Sequence, residues 1–430
     1  MKIGCAIESI TPATPVYLAG FGVTRRAEEV HDDLFAKVVL MEGADGYYGV
    51  ISFDLLCVDH LLLERLKTGM EQTGFNSDRF LITCTHTHSG PCGTMDTGGG
   101  LAKGLDFVMG LKDMALIEGI VEKTLKALKE AADNCKDTRI RVARGILSGV
   151  GKNRNNKDLK GDEDLFLAEL EQEDGKRILL MNFACHPTVL SHENLSVSAD
   201  FPGAVNRLMA EKGYAFTVYL NGSCGDISTR FTREGKGFPE VERYGRLIVD
   251  KLEELLLTAK EAFAERVEAD SFQVRLRLKE SEDPERARQD LELAQKRVEE
   301  AKRQGIQGSA LRLIEARRDG ALMSFHYARN RPQETHHTVR VSVLRVNKEL
   351  FIGIPGELFS ELSNGLKDGH IHFVGYTGEH VGYFADKAAY DCLNYEAMSS
   401  PFERGQPEIL VEKIRAYIRS NSPAGVDCRK

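Results

Sequence analysis

Short apolar runs that stop at glycine, proline or a polar cluster recur along the chain, as in strands buried within a sheet. Residues 37–41 and 48–53 are two such runs and flank the turn Gly43-Ala44-Asp45-Gly46, which predicts a hairpin. Further runs lie at 80–84, 178–185 and 216–220, and each ends in a polar turn: Thr85-His86-Thr87-His88-Ser89-Gly90-Pro91, His186-Pro187, and Asn221-Gly222-Ser223-Cys224-Gly225-Asp226. Strands are also predicted at 140–146, 338–347 and 349–354, the last running into Pro355-Gly356-Glu357. The period changes to that of a helix at 61–74, with Leu61, Leu62, Leu63, Leu66 and Met70 on one face. It does so again at 113–134, with Leu116, Ile117, Ile120, Val121, Leu125 and Leu128. A short helix is expected at 358–366 and a final one at 406–420, followed by a loose polar tail. If the strands share a sheet, their polar ends gather on one edge, where α/β proteins keep their sites.

Residues 282–320 differ from the rest. Ser281-Glu282-Asp283-Pro284 supplies a cap and a first-turn proline, and Gly305-Ile306-Gln307-Gly308 interrupts a charged helical pattern. The segment reads as a helical hairpin arm: a solvated insertion, or a lid or contact between two copies of the chain. The expected architecture is mixed α/β (α+β), with large mixed sheets flanked by helices, on one catalytic domain spanning 1–430 and interrupted by the 282–320 hairpin.

Composition narrows the function classes. The 430 residues are 42% hydrophobic and carry a net charge of -8, with no basic stripe interleaved with aromatics, so nucleic acid is not an expected partner. No apolar run reaches the length of a membrane span, and the N-terminus turns acidic at Glu8, too early for a secretory segment. The expectation is a cytoplasmic protein. Nine scattered cysteines without a Cys-x-x-Cys pair fit reduced thiols used for packing.

The strand ends carry the chemistry. His86 and His88, two apart after an apolar run, are expected on one side of an extended strand, which suits metal binding or proton transfer. His186 before a proline reads alone as structural, but zinc needs three or four such ligands and distant strand ends can supply them. Glu357 either pairs with a cation or caps the helix after it. Arg154, after Asn153, is a donor for an oxyanion or a solvated surface group. Ser228 lies in a polar turn that is not a Gly-x-Ser-x-Gly elbow.

Together these motifs resemble, in order and over most of the chain, the catalytic domain of the neutral/alkaline (non-lysosomal) ceramidases. The set comprises Ile10-Thr11-Pro12, Gly20-Phe21-Gly22, the THTHSGP run, Asn153-Arg154, His186-Pro187-Thr188, Ser198 to Gly203, Gly225-Asp226-Ile227-Ser228, Pro355-Gly356-Glu357, and Gly382 to Tyr390 with Tyr395-Glu396. That family hydrolyses the amide bond of ceramide with one zinc ion. The resemblance implies His86, His186, Glu357 and Tyr383 as zinc ligands and His88, Arg154 and Ser228 as catalytic residues. It implies Asn153, Asp226 and Asp200 as substrate-binding residues. Either Ser228 or zinc-activated water is the nucleophile. The expected function is zinc-dependent hydrolysis of an acyl C–N bond in a small or lipid-like acyl substrate. The alternatives are an esterase or lactonase on a polar or sugar-derived substrate, and a metal-bearing binding protein without turnover. Family members carry a C-terminal immunoglobulin-like domain; here that domain is expected to be missing, since the chain runs out soon after the Tyr383 motif. The 282–320 arm looks like an addition, and a homo-oligomer would form through it.

Overall fold

A computed structural model of the chain describes residues 1–21, 25–156, 158–159, 161–262, 265–280, 282–330 and 332–421. Gly22, Ser281, Cys428 and the polar tail from 422 onward lie outside the described residues.

Eight strands make the body of the first sheet: β1 (Lys2–Ser9), β2 (Phe35–Gly43), β3 (Gly46–Phe53), β4 (Phe80–Cys84), β5 (Lys136–Ile146), β6 (Asp164–Gln172), β7 (Arg177–Phe183) and β8 (Phe216–Asn221). Their spatial order is β8-β7-β6-β5-β1-β2-β3-β4, and Lys260–Glu261 adds a short ninth strand on β5. The β7/β8 and β3/β4 pairs are parallel and the other pairs antiparallel, so the sheet is mixed. A second sheet contains β9 (Val267–Arg277), β10 (His336–Val346), β11 (Glu349–Gly353) and β12 (Ile371–Val374), with β11 and β12 parallel. The principal helices are α1 (His60–Gln72), α2 (Met114–Asp133), α3 (Asp200–Glu211), α4 (Phe238–Thr258), α5 (Pro284–Arg303), α6 (Gly308–Arg329) and α7 (Gln406–Asn421). Asp59, Asp113 and Asp283 start α1, α2 and α5 by accepting backbone amides of the first turn.

Strand alternation explains the layers. Val38 and Leu40 of β2 pack with Leu62, Leu66, Ile117 and Leu128 of α1 and α2, whereas Val39 and Met41 turn to the other face. There they meet Leu344 and Phe351 of the second sheet. Leu350 and Ile352 of β11 face away, onto Leu410, Ile414 and Ile418 of α7. Helices α3 and α4 cover the β6–β8 half of the first sheet through Leu208, Met209, Ile248 and Leu252. The result is four layers, helix, sheet, sheet, helix, in which both sheets are buried on both faces. Each fully buried Leu, Ile or Phe contributes roughly 1.5–3 kcal/mol, and this double burial is why the strands read as unbroken apolar runs.

Several expectations change in detail. The strand expected over 178–185 stops at Phe183, leaving Cys185-His186 in the turn. The helix expected at 358–366 shrinks to Ser360–Asn364, because Glu357–Leu358 pairs instead as a parallel strand with Tyr383–Phe384. The hairpin arm exists, but its second helix continues through Met323, Phe325 and Tyr327 to Arg329, since nothing before Asn330 breaks it. It packs on the short helix Tyr395–Ser399, with Gly320 so close that a Cβ there would lie 2.9 Å from Met398 Sδ. Strands β6 and β9 and helices α3 and α4 were not expected from the pattern. The eight described cysteines are all free thiols. No helix among the described residues is long and apolar enough to cross a membrane.

Candidate metal and hydrolase centre

The polar turns after β4, β7, β8, β11 and β12 converge. Strands β4 and β8 lie at opposite ends of the first sheet, yet Asn221 Nδ2 donates to Thr85 O at 3.2 Å and Ser52 Oγ to Tyr219 O at 3.3 Å. The sheet therefore curls until its edges meet. The strand ends do gather, but Glu357 arrives from the turn that follows β11 of the second sheet, on its own short pair with Tyr383–Phe384, rather than from the first sheet.

His86 and His88 are not on an extended strand. The strand stops at Cys84, and His86 adopts φ 69°, a left-handed conformation uncommon for a residue with a side chain. The turn swings both rings inward and leaves their Nε2 atoms 3.2 Å apart. The nitrogens of His86, His88 and His186 all lie within 4.8 Å of one another. Gly20 (φ +97°) lies against His88: a Cβ there would sit 2.5 Å from His88 Nδ1.

Two rings are anchored from behind. His86 Nδ1 lies 2.6 Å from Leu56 O, and His186 Nδ1 lies 2.6 Å from Cys224 O. A carbonyl only accepts, so each Nδ1 carries the proton and each neutral ring turns a bare Nε2 toward the centre. His186 Nε2 lies 2.9 Å, and His86 Nε2 3.7 Å, from Glu357 Oε2. Burial drives the imidazoles of His86, His88 and His186 well below the usual histidine range, despite the pull of Glu357 on His86. Lone pairs thus face a carboxylate across a buried gap, an arrangement that a cation satisfies. This donor set of imidazole nitrogens and a carboxylate suits zinc, and the carbonyl anchors are of the kind that orient metal-bound histidines. His88 is different: its buried Nδ1 has no hydrogen-bond partner among the described residues.

Arg154 joins the cluster from the segment after β5. Its Nη2 donates to Gly225 O at 2.7 Å and to the Tyr383 hydroxyl at 3.1 Å. Its Nη1 lies 3.4 Å from His186 Nε2. Glu396 Oε1 sits 2.6 Å from Nε, off the hydrogen-bond axis. Burial works against this guanidinium, but Glu396, then Tyr383 and Glu357, outweigh it and hold the pKa well above its ordinary value. Burial, then Glu357, raises the Tyr383 phenol far above its ordinary value.

The other expected site residues take supporting places. Asp226 accepts from Asn153 Nδ2 (3.0 Å), Ser360 N (2.7 Å) and Ser360 Oγ (2.9 Å), and burial pushes its carboxyl up to about 7. It ties the Arg154, Ser228 and Glu357 segments together. Ser228 is buried, pairs in strand register with Lys152, and accepts from Arg230 N at 3.3 Å. Gly225 lets the Ser228 turn press on the Glu357 turn, since a Cβ there would lie 2.5 Å from Glu357 O. Asp200 (φ 58°) stands apart: both its oxygens accept backbone amides, of Leu190 (2.9 Å) and Phe201 (2.7 Å), and burial pushes it to about 6. It holds the loop that follows His186.

Two residues of the centre, Tyr376 and His380, were not singled out from the sequence, and a third, Glu396, entered only as part of the Tyr395-Glu396 motif. Tyr376 (φ 56°) stacks on His86 at 4.0 Å between ring centres, and its hydroxyl donates to Glu357 Oε2 at 3.5 Å. His380 Nε2 lies 3.8 Å from Glu357 Oε1. Glu396 holds Arg154. The polar run Gly378-Glu379-His380 after an apolar strand was the available signal for His380; Tyr376 has none in local pattern.

Comparison with known proteins bears on the family and the fold. The sequence profile described as neutral/alkaline non-lysosomal ceramidase, N-terminal, matches residues 1–224. A neutral ceramidase of Oryza sativa subsp. japonica is 26% identical over 220 residues, 46% of this chain but 27% of that protein's own length. The crystal structure of neutral ceramidase from Pseudomonas aeruginosa superimposes with a TM-score of 0.74 at 16% identity, covering 98% of this chain and 75% of that one. A ceramidase complexed with C2 gives a TM-score of 0.72 at 16% identity, covering 98% and 76%. At these identities the structural likeness speaks for the fold.

Proposed function

Because this chain belongs to the neutral/alkaline non-lysosomal ceramidase family, we propose that it hydrolyses an acyl C–N bond at a zinc centre formed by His86, His186, Glu357 and Tyr383. One observation carries the reading: two carbonyl-anchored imidazoles turn bare Nε2 atoms toward Glu357 in a buried gap. Zinc bound there supplies a Lewis acid that polarises a carbonyl and acidifies water.

The chain's own residues do the rest. His88, which lacks a carbonyl anchor, takes the proton of the attacking oxygen and delivers it to the leaving nitrogen. Arg154 is held charged and aimed by Glu396, and its Nη1 is the donor left for the developing oxyanion. Ser228 Oγ accepts the Arg230 amide, which leaves its own proton to be donated to a substrate oxygen. Asn153 and Asp226 keep Arg154 and Ser228 in register. The products are a carboxylate and an amine, and the acyl portion is lipid-like.

Purified protein should contain about one zinc per chain. His86→Ala should lose the metal, whereas His88→Ala should keep it and lose turnover of N-acyl amines. A folded, metal-free protein that turns over normally would overturn the zinc reading. Cleavage of esters or lactones with no cleavage of any amide would overturn the bond assignment.

A further inference from the structure

Charge around the centre is out of balance. Arg230, two residues after Ser228, is partly buried and donates Nη1 to Arg154 O at 2.7 Å. Arg233 donates Nε to Thr229 Oγ1 at 2.9 Å and Nη2 to Thr188 O at 2.5 Å. Arg25, beside His88, is 2% exposed; its Nη2 donates to Ala19 O and His88 O, each at 2.6 Å, and its Nε has no partner. Among the described residues, none of these three guanidinium groups is in ion-pair contact with a carboxylate, while Arg154 has Glu396 and Arg312 has Asp319.

The charged groups facing Arg230 are Arg154, Arg312, Arg233 and Glu396. Burial, then repulsion by Arg154 and Arg312, pushes Arg230 down to about 10. Arg233 has Asp200 and Glu240 in its wider surroundings, but Asp200 is bound by backbone amides and Glu240 by Arg243. Even a partly buried cation without a counter-charge is costly, and an incoming anion would remove that cost. Amide hydrolysis itself develops one negative charge, on the oxyanion, and Arg154 stands in place for that. Arg25, Arg230 and Arg233 are left over; Arg25 lies over the Phe21 ring at 4.9 Å, whereas among the described residues Arg230 and Arg233 have no aromatic partner.

We propose that the substrate carries an anionic group, a carboxylate or a phosphate, near the scissile amide, and that Arg230 seats this group with Arg233 beside it. The proposal rests on the hydrolase reading above and names its substrate class: N-acylated amino acids, or phosphate esters of N-acyl amines. A neutral acyl amide leaves Arg230 uncompensated.

Three amides of one acyl chain test this with the wild-type holoenzyme: N-dodecanoylglycine, N-dodecanoylethanolamine and the phosphate ester of the latter. At low ionic strength kcat/KM for one of the two anions should exceed that of the neutral amide by about tenfold or more, and which anion wins identifies the group. That ratio should shrink as salt is raised. Arg230→Gln should bring the ratio toward one, and Arg230→Lys should retain most of it. A neutral amide cleaved as well as both anions, or a ratio unchanged in Arg230→Gln, overturns the proposal while leaving the hydrolase reading intact. Cleavage of none of the three removes the hydrolase reading and this proposal with it. The wild-type comparison and its salt dependence stand even if the variants fold poorly.

Discussion

Glu396→Gln is the sharpest test of how the centre is held together. Glu396 and Arg154 form an ion pair whose side chains are 2% and 9% exposed, with Asn155 Nδ2 donating to the second carboxylate oxygen at 2.9 Å. Glutamine keeps the volume and an acceptor for Asn155 but removes the charge, so Arg154 is left buried beside only Glu357 and Tyr383. Breaking a buried pair by removing one partner costs about 3–5 kcal/mol. For a chain of this length the unfolding entropy is roughly 0.9 kcal/mol/K, so the melting temperature should fall by about 3–6 °C. Activity should fall further than stability: an oxyanion donor that is no longer aimed costs on the order of 100-fold in kcat. Calorimetry and steady-state kinetics on one preparation give both numbers. Arg154→Met with Glu396→Leu should melt close to wild type, because it removes both charges, yet be as inactive as Arg154→Met alone. A Glu396→Gln protein that melts and turns over as wild type does would refute the claim that Glu396 holds and aims Arg154.

Other outcomes follow from the same geometry. Gly225→Ala places a Cβ 2.5 Å from Glu357 O, so the Glu357 turn must shift; chelator competition should show zinc bound at least about tenfold more weakly, and unchanged affinity would show that the turn is slack. Lys279 is partly buried, donates to Ala397 O and Met398 O, and the burial of its ammonium pulls its pKa down to about 7. The folded-state value is below the unfolded one of 10.5, so the unfolded chain holds the extra proton and stability rises as pH rises from about 7 toward 10.5, by up to about 1.4 kcal/mol per unit. Lys279→Met should flatten that part of the melting-temperature profile between pH 7 and 9; parallel profiles would refute the assignment.

The order of motifs alone named most of the residues that the fold brings together. Apolar runs broken by turn residues are local signals, and β2, β3, β4, β7, β8, β10 and β11 were legible for that reason, as were α1, α2 and the hairpin arm. His86, His88, His186, Glu357, Tyr383, Arg154 and Ser228 sit where such runs stop. Strand β6 and helix α4 escaped notice because their charged residues dilute the apolar pattern. What tertiary structure alone decided is contact between segments distant in the chain. The curl that joins β4 to β8, the arrival of Glu357 from the turn after β11, and the grip of Glu396 on Arg154 depend on packing across layers. The left-handed turn at His86 belongs with them, because its strained backbone is held by hydrogen bonds to Leu55 and Leu56 and by the stacked Tyr376 ring. A sequence records which side chains are available at each strand end. Which lone pairs face one another, and which buried cations lack a partner, is decided only when the two sheets close on each other and exclude water.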